Sequence, residues 1–497
     1  MKKTFRICKS EQSSLPGLAA LPRRSANIKA RVQIAGTCVA FLVLFCGPGS
    51  RLAAQTPTPV PVLTWRYDLT HQGQNIQETA LTPANVNVSS FGKLFSQTVD
   101  GYVYAQPLYV PGLKMSDGLV HNVLFVATEN DSLYAFDADS NGGNNTGPLW
   151  HVTLLDAAHG AGPGATAVPA DPQGISPQGD IGPTIGITGT PTINPATNTM
   201  YVVANTYEQG TYFSRLHAIN IITGAEQSSP AVQKSPVAIS ATVAGTGTGS
   251  TGGRLAFNPL IENQRPALDY YNGYVYVGYA AHGDIGPYHG WLFAYNATTM
   301  AQTTALCLSP NGAGAGIWAS GAGMPIDNDA TGGRMFVVTG NNGTEDDKDT
   351  PTTYPPFANA QLGESILNFN LANGGLTPVD AFTSFNSTTL DGGDLDQGAG
   401  GILMVPDQQG KYAHVLVQAG KEGRLLVLNR DDLGGNNTGN TSNPGALQDI
   451  PPYIPPTNGP KSVPGQLTQA EGLWSTPAYW NGNVYIWAEY NSPMLSS

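Results

Sequence analysis

From about residue 105 onward, apolar and polar positions alternate in short runs, the two-residue period of a half-buried β-strand. Ala105–Val110 (AQPLYV), Asn122–Thr128 (NVLFVAT), Ser132–Asp137 (SLYAFD) and Leu149–Leu154 (LWHVTL) read as four strands in succession. The turns between them are rich in Asn, Asp and Gly, residues that supply left-handed and self-capping backbone. No stretch after the first 54 residues carries the 3.6-residue apolar period of an amphipathic helix.

The same strand order returns along the chain. It begins again near Gly189 (GTPTIN, MYVVAN, RLHAIN), Pro266 (PALDYY, YVYVGYA, WLFAYN), Gly321 (GAGMPID, MFVVTGN, SILNFN) and Gly401 (GILMVP, HVLVQAG, RLLVLNR). A sixth unit starts at Trp474 with WSTPAYW and NVYIWAEY, and only two of its strands are legible. The starts fall roughly 55 to 84 residues apart, longer than the repeats of about 40–50 residues of common propellers. The surplus is Gly/Ser/Thr/Pro-rich loop, as in Gly160–Gly186 and Thr242–Gly253. A four-stranded sheet cannot bury both faces alone, so the units must stack. Radial stacking leaves only short exposed edges. The expectation is an all-β protein, a β-propeller of four-stranded antiparallel blades; an array of β-sandwiches is the alternative. The propeller spans 63–497 and reads as truncated at its C-terminal end, with seven or eight blades in an intact ring. Lys93–Val99 (KLFSQTV) is the candidate closing strand.

Composition agrees: 60 Gly and 38 Pro among 497 residues, with 12% charged, suits turns and sheets rather than a helical bundle. The formal net charge of −12 hides an asymmetry. Nine of the 23 bases but only one of the 35 acids lie in the first 54 residues, leaving 14 bases against 34 acids. Such an acidic body repels phosphate backbones and excludes nucleic acid as a partner. The basic start leads into the apolar run Ile34–Cys46 and then Leu52-Ala53-Ala54. That is the order of a secretory signal peptide over 1–54, cleaved near Ala54–Gln55, with a Pro/Thr linker at 55–62. The run is too short to span a bilayer comfortably, so no stable membrane span is expected after cleavage; an uncleaved anchor is the rival. The expected location is periplasmic or secreted. Cys8, Cys38 and Cys46 fall in the leader, and Cys307 alone remains, a core residue.

Several units end in Ala, a polar residue, a Thr-Gly turn and then Trp. Ala135-Phe136-Asp137 leading to Thr146-Gly147-Pro148-Leu149-Trp150 is the fullest case. The Asx residue caps a turn, Gly takes a left-handed angle and Trp stacks between sheets, so the motif specifies packing. It resembles the blades of the quinoprotein (pyrroloquinoline quinone) dehydrogenase superfamily, over roughly residues 63 to 490. That resemblance implies a quinone on the axis, a Ca²⁺ held by oxygen ligands, an Asp general base and a Lys or Arg on the quinone. Val338-Thr339-Gly340-Asn341 is similar to the family's Thr-Gly-Asn, implying Asn341 as metal and cofactor ligand. Gly363-Glu364-Ser365 stands where the family has Gly-Asp-Asn, implying Glu364 as the base. Gln418–Gly423 with Lys421 is similar to the cofactor-contacting Asn-Lys-x-Gly strand. Asp284, before Pro287–Trp291, matches an acidic metal ligand. Trp65 to Asn87 resembles the family's N-terminus.

Other features depart from the family. The adjacent-cysteine disulfide cannot form, and there is no c-type haem motif. Glu replaces Asp at the base. Each candidate also has a structural reading: Asn341 in an Asn-Asn-Gly turn, Asp284 in a Gly-rich loop, Lys421 paired with Glu422, His282 and His289 packed between blades, and Glu345–Asp349 as a solvated acidic loop. The sequence therefore favours a binding or scaffold module for a small molecule or protein at the propeller face, without a competent dehydrogenase site. The alternative is a dehydrogenase of alcohols or sugars that needs pyrroloquinoline quinone and Ca²⁺.

Overall fold

The structure is a computed structural model that describes residues 59–170, 181–329, 331–342, 361–452, 472–487 and 494–496. The leader, the start of the linker and the Glu345–Asp349 loop lie outside the described residues. The linker's end is built into the fold, because Val62 bridges Tyr109.

Among the described residues six successive blades, each built of antiparallel strands, follow the repeat. Blade 1 is Leu108–Lys114, Val120–Ala127, Ser132–Asp137 and Trp150–Thr153 in spatial order. Blade 3 is Asp269–Tyr271, Tyr274–Ala281, Trp291–Asn296 and Gln302–Cys307. Blade 4 is Ile326–Asp327, Arg334–Val338, Ser365–Asn370 and Thr377–Thr383, and blade 5 is Ile402–Met404, Val415–Ala419, Leu425–Asn429 and Gln448–Ile450. Blade 2 is built around Thr192–Asn194, Thr199–Glu208 and Thr211–Asn220. The first strand of blade 1 starts at Leu108 rather than Ala105, since Gln106 is engaged by a neighbouring blade instead. Blade 6 has three strands, not two: Met494–Ser496 pairs with Asn483–Ile486 beside Ala478–Trp480.

The two-residue period decides how blades stack. In Thr199–Glu208, Met200 and Val202 join Val123, Phe125 and Trp150 of blade 1, while Tyr201 and Val203 join Val275, Val277 and Phe293 of blade 3. The same division recurs in blade 4, where Met335 and Val337 face blade 3 and Phe336 and Val338 face blade 5. Each such side chain contributes about 1.5–3 kcal/mol through burial, so the inter-blade seams are the core. Trp150 closes one seam: its indole N–H donates to Ile221 O at 3.0 Å, and its ring lies against Gly224 at φ +79°. A Cβ there would sit 2.9 Å from the ring, so this turn requires glycine.

Residues 62–72 run across the inner ends of five blades. Leu63 O accepts from Ile193 N (blade 2), Leu69 O from Ile326 N (blade 4) and Gln72 O from Tyr479 N (blade 6). Thr64 Oγ1 donates to Leu268 O beside blade 3, and the His71 ring meets Asp269 Oδ1 at 3.0 Å with both side chains fully buried. Arg66 donates to Pro477 O and Thr476 O. This strap, and not Lys93–Val99, joins the first and last blades. Lys93–Val99 forms no strand and Leu94 is 91% exposed. Cys307 is buried, with its thiol pushed up to about 12 by burial.

Candidate functional site

Three blades end their second strand on the same side. Asp284 follows Tyr274–Ala281, Asn341 follows Arg334–Val338, and Lys421 follows Val415–Ala419. Because the units repeat one strand plan, residues at matching positions in sequence become neighbours in space. The chain crossing from blade 4 to blade 5 adds Asp391, Asp394 and Asp396, partly through the short helix Ser387–Gly392. Together they surround a cleft of about 580 Å³ lined by Asp284, Tyr288, Asn341, Asp391 and Asp394, with Thr248 reaching it between the hairpin strands Thr242–Ala244 and Arg254–Ala256. That volume is in the range of small-molecule sites.

The charged centre is tight. Lys421 Nζ lies 2.8 Å from Asp394 Oδ1 and 2.5 Å from Asp396 Oδ2, and 5.2 Å from the centre of the Trp474 ring. Asp396 is buried, and its other oxygen accepts the Asn341 N–H at 2.9 Å. Asn341 Nδ2 donates to Asp394 Oδ1 at 3.2 Å, leaving the amide oxygen buried with no hydrogen-bond partner. Burial, then the Asp396 and Asp394 charges, push the Asp284 carboxyl up to about 6, while Lys421 opposes them. Burial and four carboxylates, Asp284 foremost, drive the Tyr288 hydroxyl well above its ordinary value. Tyr288 and Trp318 meet edge to face at 6.2 Å.

Backbone proximity makes this geometry possible. Gly340 donates to Gly316 O at 2.9 Å, and a Cβ at Gly340 would stand 2.7 Å from Asp396 Oδ1 and 2.8 Å from the Trp318 ring. Only glycine lets the strand end pass so close to both.

Of the four residues singled out by sequence, Asp284 and Asn341 line the cleft and Lys421 reaches its inner wall. Lys421 pairs with Asp394 and Asp396; Glu422 pairs with Arg424 instead, so the Lys421–Glu422 pairing is corrected. Glu364 sits deeper. Its carboxyl is fully buried, at φ +49°, and Oε2 accepts the Gln397 N–H at 2.7 Å. Burial, then Asp396 and Asp391, hold it well above the usual carboxylate range, opposed by the Gln397 N–H and Lys421. His289 is a packing residue: its ring meets Ser309 Oγ at 2.9 Å and Thr248 O at 3.0 Å. Asp394, Asp396, Trp318 and Trp474 were not singled out from sequence. The available signal was three Asp in the Gly-rich run Leu390–Gly398, directly before a blade start.

The donor set fits a hard cation: a carboxylate (Asp284), an unpartnered buried amide oxygen (Asn341) and nearby aspartates, with no sulfur or imidazole. Among the described residues no three His, Cys, Asp or Glu side chains form a metal centre by themselves, so water or ligand oxygens would have to complete the shell. Tyr288 adds aromatic surface to the lining, and Lys421 sits behind it, paired with Asp394 and Asp396.

No family model and no curated protein matches the sequence. Solved structures do. A quinohemoprotein alcohol dehydrogenase from Pseudomonas putida HK5 is similar over 86% of this chain, with 17% identity and a TM-score of 0.52. A europium-containing methanol dehydrogenase is similar over 86% of this chain and 68% of its own, with 13% identity and a TM-score of 0.52. The chain spans 57% of the length of the alcohol dehydrogenase. At these identities the likeness establishes the fold, a quinoprotein-dehydrogenase-like β-propeller. Among the described residues no helix is long and apolar enough to cross a membrane.

Proposed function

We propose that the chain acts as a quinoprotein-type dehydrogenase, exported by its basic-apolar leader, that oxidises an alcohol or sugar hydroxyl to a carbonyl. One observation supports this reading: Asp284 of blade 3 and Asn341 of blade 4 line one cleft with Asp391 and Asp394 of the connection to blade 5, and Lys421 of blade 5 pairs with Asp394 there. Blade stacking alone gives no reason to gather partly buried charges, which cost stability wherever pairing is imperfect.

Asp284 and Asn341 would hold the cation, while Lys421 would contact the quinone and Tyr288 would flank it. When bound, pyrroloquinoline quinone supplies the two-electron acceptor and Ca²⁺ its polarisation. Asp396, rather than Glu364, is the carboxylate nearer the cleft, held between Lys421 and the N–H of the lining residue Asn341, and would take the hydroxyl proton. Glu364 would be a positioning residue: its carboxyl, held above the usual range by burial, accepts the Gln397 N–H and so fixes the backbone next to Asp396. In such a reaction Asp396 would take the hydroxyl proton, and the bound quinone would supply the acceptor for the two electrons and the carbon-bound hydrogen.

The test is reconstitution with pyrroloquinoline quinone and Ca²⁺, followed by cofactor retention after gel filtration and dye reduction with alcohols and aldoses. Retention with turnover, and turnover lost in Asp396→Asn while cofactor is still retained, is expected. Retention without turnover would favour a binding module, and neither would leave the scaffold reading.

A further inference from the structure

The connection from blade 2 to blade 3 is longer than a turn needs, and part of it reaches the cleft. Its hairpin, Thr242–Ala244 paired with Arg254–Ala256, is rooted in the seam between those blades by Leu255 and Phe257, with Val243 packed against them. Beyond that root the tip, residues 245–253, consists of Gly, Ser and Thr alone, so it brings no large apolar side chain to hold it down. A two-stranded hairpin is marginally stable by itself. Polar bonds hold the tip instead. Gly247 N–H donates to Pro310 O at 3.0 Å, Thr248 N–H to Gly312 O at 2.8 Å and Thr246 N–H to Asn311 Oδ1 at 3.1 Å. The Thr248 carbonyl can only accept, so the His289 ring donates to it from Nε2 at 3.0 Å, while Nδ1 faces the Ser309 hydroxyl at 2.9 Å. The seating is close: a Cβ at Gly247 would stand 2.3 Å from Gly312 O, and one at Gly249 would stand 3.1 Å from Pro287. Thr248, Pro287 and Ala313 all line the cleft, so the tip is fastened to the cleft's own rim.

We propose that residues 245–253 form a lid on the cleft, closed in this structure and latched by His289, and that molecules enter when the tip lifts about its rooted strands. Glycines serve both the seat and the turn. Gly247 lets the backbone settle on Gly312, and Gly249, Gly252 and Gly253, at φ +83°, +59° and +75°, carry the reversal of the chain. Lifting the tip breaks a few hydrogen bonds and leaves Leu255 and Phe257 in place. That puts it at the low-stability end of the fold, where segments open locally while the blades stay folded. The lid rests on the geometry of the cleft and not on what the cleft binds.

Two readouts on the full chain test this together. Opening is read from native-state hydrogen exchange of the Thr248 amide, which the Gly312 carbonyl protects. Access is read from the rate at which a methanethiosulfonate reagent modifies the thiol introduced by Ala313→Cys, scored on its own peptide by mass spectrometry; Ala313 lines the cleft and is 6% exposed. His289→Phe removes the latch, and Gly247→Ala unseats the tip without touching a blade, which keeps the test open if the buried His289 tolerates no change. In both variants Thr248 exchange and thiol modification should rise together by about five- to tenfold, the effect of losing one hydrogen bond. Exchange within Tyr274–Ala281 of blade 3 should stay as it is. Faster Thr248 exchange with unchanged thiol modification would make the hairpin a fixed wall and overturn the lid. Unchanged Thr248 exchange in Gly247→Ala, or modification at the rate of a free thiol when Ala313→Cys is the only change, would overturn it as well.

Discussion

Arg66 offers the sharpest test of the strap that joins the first and last blades. Its guanidinium donates from Nη1 to Pro477 O at 2.6 Å and from Nη2 to Thr476 O at 2.8 Å. Charge-assisted bonds contribute about 1.5–3 kcal/mol each, so the two together bring roughly 4–5 kcal/mol. Burial opposes this by pushing the guanidinium about 2.5 pH units down, to about 10. At about 1.4 kcal/mol per pH unit, that cost is about 3 kcal/mol. The guanidinium also lies 4.5 Å from the centre of the Trp65 ring, worth about 1 kcal/mol. Arg66→Met should therefore weaken the junction by about 2–3 kcal/mol. Global melting is a poor measure in a stacked array, because blades open locally. Native-state hydrogen exchange is direct, since the Tyr479 amide is held by Gln72 O in this junction. It should exchange about 30- to 150-fold faster in the variant, while amides within Tyr274–Ala281 of blade 3 stay as they are. Tyr479 exchange within threefold of the parent would show that the strap is not held by Arg66 and would refute the ledger.

Other consequences follow from buried groups. The Glu129 carboxyl is raised to about 7, first by burial, while its Gly186 and Thr188 bonds oppose the rise. Its folded value exceeds its unfolded one, so folding takes up a proton and stability falls as pH rises from about 4.5 through 7. Glu129→Gln should gain about 2–3 kcal/mol over the parent between pH 5 and 8 in urea titrations; a pH-independent difference would contradict this. The Cys307 thiol, pushed up to about 12, should resist a disulfide reagent at pH 8 in the native protein and react promptly in denaturant. Native labelling at the rate of a free thiol would place it outside the core. Gly340→Ala would drive a methyl against Asp396 and Trp318. It should lower Ca²⁺ retention and dye reduction by at least about tenfold with little change in blade content by circular dichroism, and unaltered retention would mean the cleft lies elsewhere.

Local signals were enough for the blades. Each strand carries its own alternation, and each Asx turn its own hydrogen bonds, as when Asp137 Oδ1 accepts from the Asp139 and Ser140 amides. These interactions span few residues, so they are written where they act. Asp284, Asn341 and Lys421 were singled out by resemblance to quinoprotein motifs; the structure places all three just after the second strands of successive blades. What the sequence could not settle was anything that depends on which distant groups meet. Lys93–Val99 reads as a strand but pairs with none of the described strands, while Val62–Gln72, lacking a strand pattern, is held by carbonyls and amides of five blades. Glu364 and Asp396 are both acids in Gly-rich surroundings. Their surroundings diverge only when folding seals one behind the Gln397 peptide and leaves the other between Lys421 and Asn341. The strand plan was thus fixed by short-range chemistry. The partners of each charge were decided by tertiary contacts, since burial and Coulomb interactions depend on distance in space, not on separation along the chain.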